Sequence, residues 1–182
     1  MTRVVGVLAL QGGFGAHELA IEAAGAVARP VRKIEDFVGL DGLVLPGGER
    51  TVQLRLLERH GLVGALSLLV SSGAPLLATC AGLILVAKTV ERPLQASFGF
   101  LDVTVARNAW GRQIDSFEAT ADDGESALVF IRAPRILATG PGVEVLTRLS
   151  GEPVMVRQNN VFGATFHPEL APGSRVHAQV FS

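Results

Sequence analysis

The chain has 182 residues, of which 48% are hydrophobic and 18% are charged. This composition predicts a folded globular protein with one domain over residues 1–182 and a substantial core. The formal net charge is −1, from 16 basic and 17 acidic residues, so the charge balance gives no indication of nucleic-acid or anionic-membrane binding. This charge balance is compatible with binding of small polar ligands.

Cys80 is the one cysteine of the chain. An internal disulfide is therefore impossible, which excludes the secreted disulfide scaffolds and is typical of a protein from a reducing compartment. The apolar stretch at residues 4–10 is too short for the core of a signal peptide, and the other apolar runs fall well short of the roughly 18 residues of a membrane-spanning helix. We expect a soluble, cytoplasmic protein.

The first half of the chain alternates short apolar strands with helical patterns. The predicted strands span residues 4–10, 28–31, 40–45 and 74–79, and the predicted helices span 15–24, 51–60, 62–70 and 83–87. Short strand-like segments follow, which we expect to form antiparallel pairs, over 101–106, 116–121, 127–131, 143–149, 153–158 and 161–166, before a short helix over 174–181. This order predicts an α/β fold, an open and mostly parallel sheet with helices on both faces and added antiparallel strands.

Cys80 lies between an apolar strand pattern and a second apolar run, with Ala81 and Gly82 directly after it. A strand that enters a helix through a tight turn of small residues is typical of a nucleophile elbow, which exposes its side chain at the edge of a sheet. A lone cysteine in apolar sequence is more often an inert core residue. His167 and Glu169 favour the functional interpretation, because they supply a base and an acid that a thiol nucleophile requires.

The separation of His167 and Glu169 by one proline supports this pairing. Residues two apart share a side of an extended segment, and Pro168 favours extended geometry in the residue before it. Glu169 is then able to orient the imidazole. By contrast, we expect His17 and His177 to be ordinary helix-face residues and His60 to lie at a solvated helix end.

Several residues that are candidates for binding or catalysis directly follow predicted strands. In open α/β sheets, ligands bind at the carboxyl ends of the parallel strands. Gln11 follows the first strand and a Gly47-Gly48 turn follows the third. The chemistry predicted at this edge is attack of a thiolate on a carbonyl carbon. The oxyanion would be held by the backbone N–H of Ala81 and by a second N–H from the Gly48 turn.

Six motifs resemble those of class I glutamine amidotransferases and, among them, the PdxT/SNO family of glutaminase subunits of pyridoxal phosphate synthase. They are residues 78–82 (Ala-Thr-Cys-Ala-Gly), 166–169 (Phe-His-Pro-Glu), 10–12 (Leu-Gln-Gly), 45–49 (Leu-Pro-Gly-Gly-Glu), 107–113 (Arg-Asn-Ala-Trp-Gly-Arg-Gln) and 130–134 (Phe-Ile-Arg-Ala-Pro). The resemblance runs from the first strand nearly to the last residue, and it implies a flavodoxin-like fold.

The resemblance also implies an activity, a partner and a set of site residues. The activity is hydrolysis of L-glutamine to glutamate and ammonia without a metal or cofactor, and the ammonia passes to a (β/α)-barrel synthase subunit that builds pyridoxal phosphate. Cys80, His167 and Glu169 would be the catalytic residues. The residues implied in glutamine binding are Gly47, Gly48, Glu49, Arg50, Arg107, Ile131 and Arg132. Acidic and cationic groups of this kind suit the ammonium and carboxylate of a free amino acid.

The sequence departs from the family pattern at a few positions. Arg50 occupies the place of the serine in the usual Gly-Gly-Glu-Ser-Thr, and Ala78 replaces a glycine before the cysteine. Two alternatives therefore stay open. Another cysteine hydrolase of the same fold, such as a peptidase or γ-glutamyl hydrolase, would share Cys80 and His167 without needing the arginine segments. A non-catalytic binding subunit is the second alternative, if Arg50 prevents glutamine binding.

Overall fold

The computed structural model describes residues 2–91, 94, 96–107 and 116–182. The strands of these residues are β1 (Val4–Leu8), β2 (Val27–Val31), β3 (Gly42–Leu45), β4 (Leu76–Thr79), β5 (Ala87–Glu91), β6 (Leu101–Ala106), β7 (Ser116–Thr120), β8 (Ala127–Ile131), β9 (Arg135–Thr139), β10 (Glu144–Leu149), β11 (Glu152–Gln158) and β12 (Val161–Ala164). The helices are α1 (Phe14–Ala23), α2 (Arg50–Arg59), α3 (Leu62–Ser71), α4 (Ala81–Val86) and α5 (Val176–Phe181), with 3₁₀ turns at Ile34–Phe37 and Pro168–Leu170.

Seven strands form the central sheet, in the order β10-β11-β12-β4-β3-β1-β2. The five strands from β12 to β2 are mutually parallel, and β11 and β10 extend the sheet with antiparallel pairing. The predicted open, mostly parallel α/β sheet is therefore confirmed. Because β12, β4, β3 and β1 are parallel neighbours, the segments that follow them all emerge at one edge of the sheet.

Side chains along the central strands alternate between the two faces of the sheet, and this explains why helices cover both faces. Val7 and Val44 pack in one buried cluster with residues of α1 and α5, whereas Leu8 and Leu45 pack in a second cluster with residues of α2, α3 and α4. Successive side chains of a strand point to opposite faces, so strands that are apolar throughout bury both sides. No helix of the described ranges is long and apolar enough to cross a membrane.

The strands depart from expectation in three places. Ala87–Glu91, of which only Ala87 was assigned, as the end of a helix, is a strand parallel to β6. Arg135–Thr139, which we did not predict, pairs antiparallel with β6. The third difference is β12, which we assigned to an antiparallel pair but which also joins the parallel core beside β4. Tertiary packing determines which strands pair, and the hydrophobic periodicity of a single segment does not indicate its partner.

Candidate active site

Cys80 occupies the sharp turn between β4 and α4, as the elbow interpretation predicted. Its backbone has φ 49° and ψ −105°, a region that residues with a side chain seldom adopt. The strain is held in place by hydrogen bonds on both sides, because Cys80 N donates to Ala164 O at 2.8 Å and Ile84 N donates to Cys80 O at 3.3 Å. Cys80 is only 7% exposed, and it lines a cleft at the carboxyl edge of the sheet.

A glycine two residues later allows this turn to lie against the neighbouring strand. A Cβ atom at Gly82 would lie 2.2 Å from the carbonyl oxygen of Leu45 in β3, so even alanine would push α4 away from the sheet. The glycine at position 82 is therefore required by packing. This is the physical reason why the local sequence folds into an elbow.

His167 and Glu169 meet directly. Nδ1 of His167 lies 2.7 Å from Oε1 of Glu169, and the glutamate side chain is 1% exposed. The expected reason was wrong, however: Pro168–Leu170 is a 3₁₀ turn, and the segment is not extended. The turn brings the carboxylate back to Nδ1 of the imidazole ring. The His167 backbone N–H donates to Val129 O at 2.8 Å, which fixes the turn against β8.

The surroundings of His167 favour a charged imidazole. Burial lowers the pKa of His167, but hydrogen bonding and charge attraction from Cys80 and Glu169 outweigh burial and raise it to about 10. Burial likewise opposes ionisation of Glu169, whereas the hydrogen bond from His167 and the nearby His17 hold the pKa of this carboxyl below its usual value. Since Nδ1 of His167 faces Glu169, Nε2 is left for Cys80.

The Gly47-Gly48 turn closes over this group. A Cβ atom at Gly47 would lie 2.4 Å from Cε1 of His167 and 3.3 Å from Cβ of Cys80, so the turn approaches both residues as only glycine can. The Gly47 carbonyl accepts from Gly13 N at 3.0 Å, and Gln11 Oε1 accepts from Glu49 N at 2.9 Å. The segment after β1 therefore determines the orientation of the turn.

The cleft has a volume of about 410 Å³, enough for a free amino acid. Every residue predicted for the site lines it, namely Gly47, Gly48, Glu49, Arg50, Cys80, Ala81, Arg107, Ile131, Arg132, His167 and Glu169. Of the predicted motif at 107–113, only Arg107 falls within the described residues, and it is half-buried. The sequence motifs, which are far apart along the chain, thus converge on one cavity.

Two charged residues at the start of α2 line the cleft and also serve the fold. The Glu49 carboxylate caps the helix by accepting from the backbone N–H groups of Thr51 at 3.1 Å and Val52 at 2.8 Å. Arg50 is 5% exposed, and its guanidinium donates to the carbonyl oxygen of Ala96. Burial and the nearby Arg107 lower the pKa of Arg50. The guanidinium of Arg50 is therefore buried and held at the carbonyl oxygen of Ala96.

The end of β8 forms the opposite wall. The thiol of Cys80 lies 3.7 Å from the carbonyl oxygen of Ile131, and Arg132, which follows, is exposed and has φ 44°. A positive φ at a residue with a long side chain is uncommon and is retained where the surroundings enforce it. Cys80 and Arg132 are thus two strained residues that face the same cleft.

Two residues next to the site were misjudged from the sequence. His17 in α1 is fully buried and His177 in α5 is 2% exposed, although we expected ordinary helix-face residues. Nε2 of His17 lies 3.2 Å from Oε2 of Glu169. A usable signal existed, because His17 stands four residues before the buried Ile21 and therefore on the same helix face.

A comparison with known protein families covers nearly the whole chain. Residues 7–181 match the model of the SNO glutamine amidotransferase family. The chain belongs to this family.

Similar proteins extend the family assignment over nearly the whole chain. The chain is 48% identical over 181 residues to the pyridoxal 5'-phosphate synthase subunit PdxT of Corynebacterium jeikeium, covering 96% of this chain and 93% of that relative. It is 49% identical to the PdxT subunit of Koribacter versatilis, covering 95% and 91%. A solved structure described as a glutamine amidotransferase superposes with a TM-score of 0.90 at 44% identity, covering 97% of this chain and 96% of that chain.

Proposed function

We propose that this chain is a glutaminase, one domain over residues 1–182, that hydrolyses L-glutamine to L-glutamate and ammonia. The observation that carries the proposal is the arrangement of Cys80, held in a strained turn at the cleft, beside His167, which is hydrogen-bonded to Glu169 at 2.7 Å. Membership of the SNO glutamine amidotransferase family supports the same activity. In this proposal Cys80 is the nucleophile, His167 the acid and base, and Glu169 the group that orients His167.

The reaction proceeds in two steps. The Cys80 thiolate attacks the side-chain amide carbon of glutamine, and His167 donates its Nε2 proton to the amide nitrogen as the C–N bond breaks, so that ammonia leaves and a thioester remains. His167 then removes a proton from water, which attacks the thioester and releases glutamate. The proton returns to the Cys80–His167 pair, and one water molecule is consumed for each ammonia.

Backbone N–H groups stabilise the oxyanion formed in both steps. Ala81 is the first residue of α4, so its N–H has no acceptor within the helix and is free for a ligand. A second donor would be Gly48 N–H. Loss of one such donor costs about 2.7–4 kcal/mol in the transition state, so the orientation of the Gly47-Gly48 peptide decides much of the rate.

Charged residues of the cleft suit the ends of a free amino acid. Glu49 would accept from the substrate ammonium, because each oxygen that caps α2 retains a further lone pair. Arg107 and Arg132 would bind the α-carboxylate, whereas the backbone of Arg50 and of Ile131 contributes polar contacts. The guanidinium of Arg50, hydrogen-bonded to Ala96 O, does not compete with these groups for the substrate.

The partner in this proposal is a (β/α)-barrel synthase subunit in the cytoplasm, which receives the ammonia for pyridoxal phosphate formation. The relatives that carry the name pyridoxal 5'-phosphate synthase subunit support it. We propose that docking occurs at the face of Gln11 and the elbow, since ammonia is made there. Gln11 Oε1 already binds the backbone of Glu49, so a partner at Gln11 is able to reorient the Gly48 N–H.

The test is ammonia release from L-glutamine by the wild type and by Cys80→Ala, each with and without the synthase subunit. We expect low release by the wild type alone, a clear rise on mixing, and none from Cys80→Ala in either case. A glutamine-analogue electrophile should label the wild type but not Cys80→Ala, which has no thiol. Circular dichroism checks that Cys80→Ala is folded.

Each alternative predicts a different result. Full turnover by the chain alone, unchanged by the synthase subunit, would favour an independent cysteine hydrolase. Binding to the synthase subunit with no ammonia release under any condition would favour a non-catalytic binding subunit. Labelling that persists in Cys80→Ala would remove Cys80 from its proposed role.

A further inference from the structure

A buried pair of histidines adjoins the glutamate of the site. Nδ1 of His17 lies 2.8 Å from Nε2 of His177, and the two residues are 160 positions apart in the chain. Nε2 of His17 lies 3.2 Å from Oγ1 of Thr79, the residue before Cys80, and also 3.2 Å from Oε2 of Glu169. Neither histidine lines the cleft, so neither is within reach of the substrate.

The contacts of His17 favour a proton on its Nε2. Oε2 of Glu169 is buried and has no hydrogen-bond partner of normal geometry among the described residues. A carboxylate oxygen only accepts, so a bare lone pair on His17 Nε2 at 3.2 Å would repel it, whereas an N–H attracts it. With the proton on Nε2, Nδ1 of His17 is an acceptor. His177 must therefore donate from its Nε2.

The charge of the two histidines is the second observation that bears on their role. Burial lowers the pKa of His17 to about 4 in spite of the attraction of Glu169, and burial lowers the pKa of His177 to about 4 as well. Both rings are neutral at pH 7. A neutral His17 offers an N–H dipole, whereas an imidazolium at the same place would compete with His167 for the negative charge of Glu169.

We propose that His17 is a positioning residue: its Nε2–H acts on Oε2 of Glu169 and on Thr79, so that Oε1 of Glu169 stays on His167. His177 holds His17 in the tautomer that this requires. The inference rests on the proposed glutaminase function. The carboxylate would then be fixed at both oxygens, by His167 on the side of the cleft and by His17 on the opposite side.

Kinetics of two His17 variants test the positioning role in the complex with the synthase subunit. His17→Leu removes the donor, and His17→Gln is the matched control because its amide retains an N–H near the position of Nε2. For His17→Leu we expect a loss of about tenfold or more in kcat, the usual effect of removing a hydrogen bond to a charged group, with the KM for glutamine nearly unchanged. His17→Gln should restore most of kcat.

A purely structural role would produce a different pattern. It would lower the melting temperature of His17→Leu but leave kcat at the wild-type value, when kcat is calculated per molecule whose Cys80 reacts with the electrophile. This result would overturn the proposal. The pH profile of kcat/KM adds a second readout. We expect it to shift in His17→Leu, because a displaced Glu169 no longer raises the pKa of His167 to the same extent, and an unchanged profile would count against positioning.

If His17→Leu does not fold, His177→Leu tests the same arrangement one step further away. We expect a smaller loss of kcat that His177→Gln rescues, and a folded His177→Leu with wild-type kcat would overturn the role of His177. Nitrogen-15 NMR of the imidazoles decides the tautomer without any assay: we expect His17 protonated at Nε2, and protonation at Nδ1 would refute the proposal. If glutamine is not hydrolysed at all, the proposed function fails, but this measurement still tests the histidine pair.

Discussion

His167 donates through Nδ1 to Oε1 of Glu169 at 2.7 Å, although only one residue separates them and the link is a 3₁₀ turn. The turn directs the carboxylate to Nδ1 of the ring and leaves Nε2 of His167 for Cys80. Because Glu169 is buried, its charge is poorly screened and acts strongly on the imidazole. This relationship determines the expected ranking of variants at the two positions.

His167→Asn should remove most glutaminase turnover, because general acid–base catalysis commonly contributes about 10²–10⁴-fold. Glu169→Gln should reduce kcat less, since the amide still holds the ring but no longer stabilises the imidazolium. Steady-state ammonia release in the presence of the synthase subunit measures both. If Glu169→Gln were as inactive as Cys80→Ala, the carboxylate would have a larger role than orientation.

The arginines of the cleft should affect substrate affinity. Arg107→Ala or Arg132→Ala should raise the KM for glutamine by about 10- to 100-fold without unfolding the chain, because each charge-assisted contact is worth roughly 1.5–3 kcal/mol. Arg55→Ala, an exposed position on α2 outside the cleft, is the matched control and should leave KM unchanged. An unchanged KM in both cleft variants would mean that these arginines serve the fold or the partner interface.

Gly47→Ala should inactivate the site with little loss of stability. The new Cβ would lie 2.4 Å from Cε1 of His167, so the ring or the turn must shift, and a displacement of about 1 Å can cost 10²-fold in rate. Gly15→Ala is the control, because a Cβ there meets nothing within 4 Å and alanine favours helix α1 by roughly 0.5–1 kcal/mol. Near-normal kcat in folded Gly47→Ala would refute the close approach of the turn.

Stability should fall between about pH 6.5 and pH 4 because of the two buried histidines. Their pKa values are about 4 in the folded chain, against an ordinary value near 6.5, so in this range the unfolded chain binds more protons. The free energy of unfolding therefore increases as the pH rises from about 4 to 6.5. As the pH falls through the same range, the protein loses stability. His167, whose raised pKa is about 10, has the opposite effect at alkaline pH, where its contribution is lost.

Urea denaturation at several pH values measures this slope. The double variant His17→Gln and His177→Gln should flatten it between pH 6.5 and pH 4, because two groups that resist protonation are gone. Carboxyl groups titrate mainly below about pH 4.5, so the upper part of the window isolates the histidines. An equal slope in the double variant would show that the histidines are not the cause.

Local sequence was sufficient for much of the fold and for the position of each predicted site residue. The strand, the small residues and the helix around Cys80 form a short pattern in which Gly82 must lie against Leu45, so one segment encodes the elbow. Glycine turns after β1 and β3 are also local. Parallel pairing then brings these strand ends to one edge, which is why motifs that are far apart along the sequence line one cleft.

Only the tertiary structure showed which residues and strands that are far apart in the sequence contact each other. The contact between His17 and His177 depends on α1 packing beside α5, because a contact over 160 residues leaves no trace in either helix alone. The same holds for Ala87–Glu91 and Arg135–Thr139, whose strand character arises from pairing with β6. Periodicity reports which face of a segment is buried, whereas the identity of the buried partner is set by packing and by the need to satisfy buried polar groups.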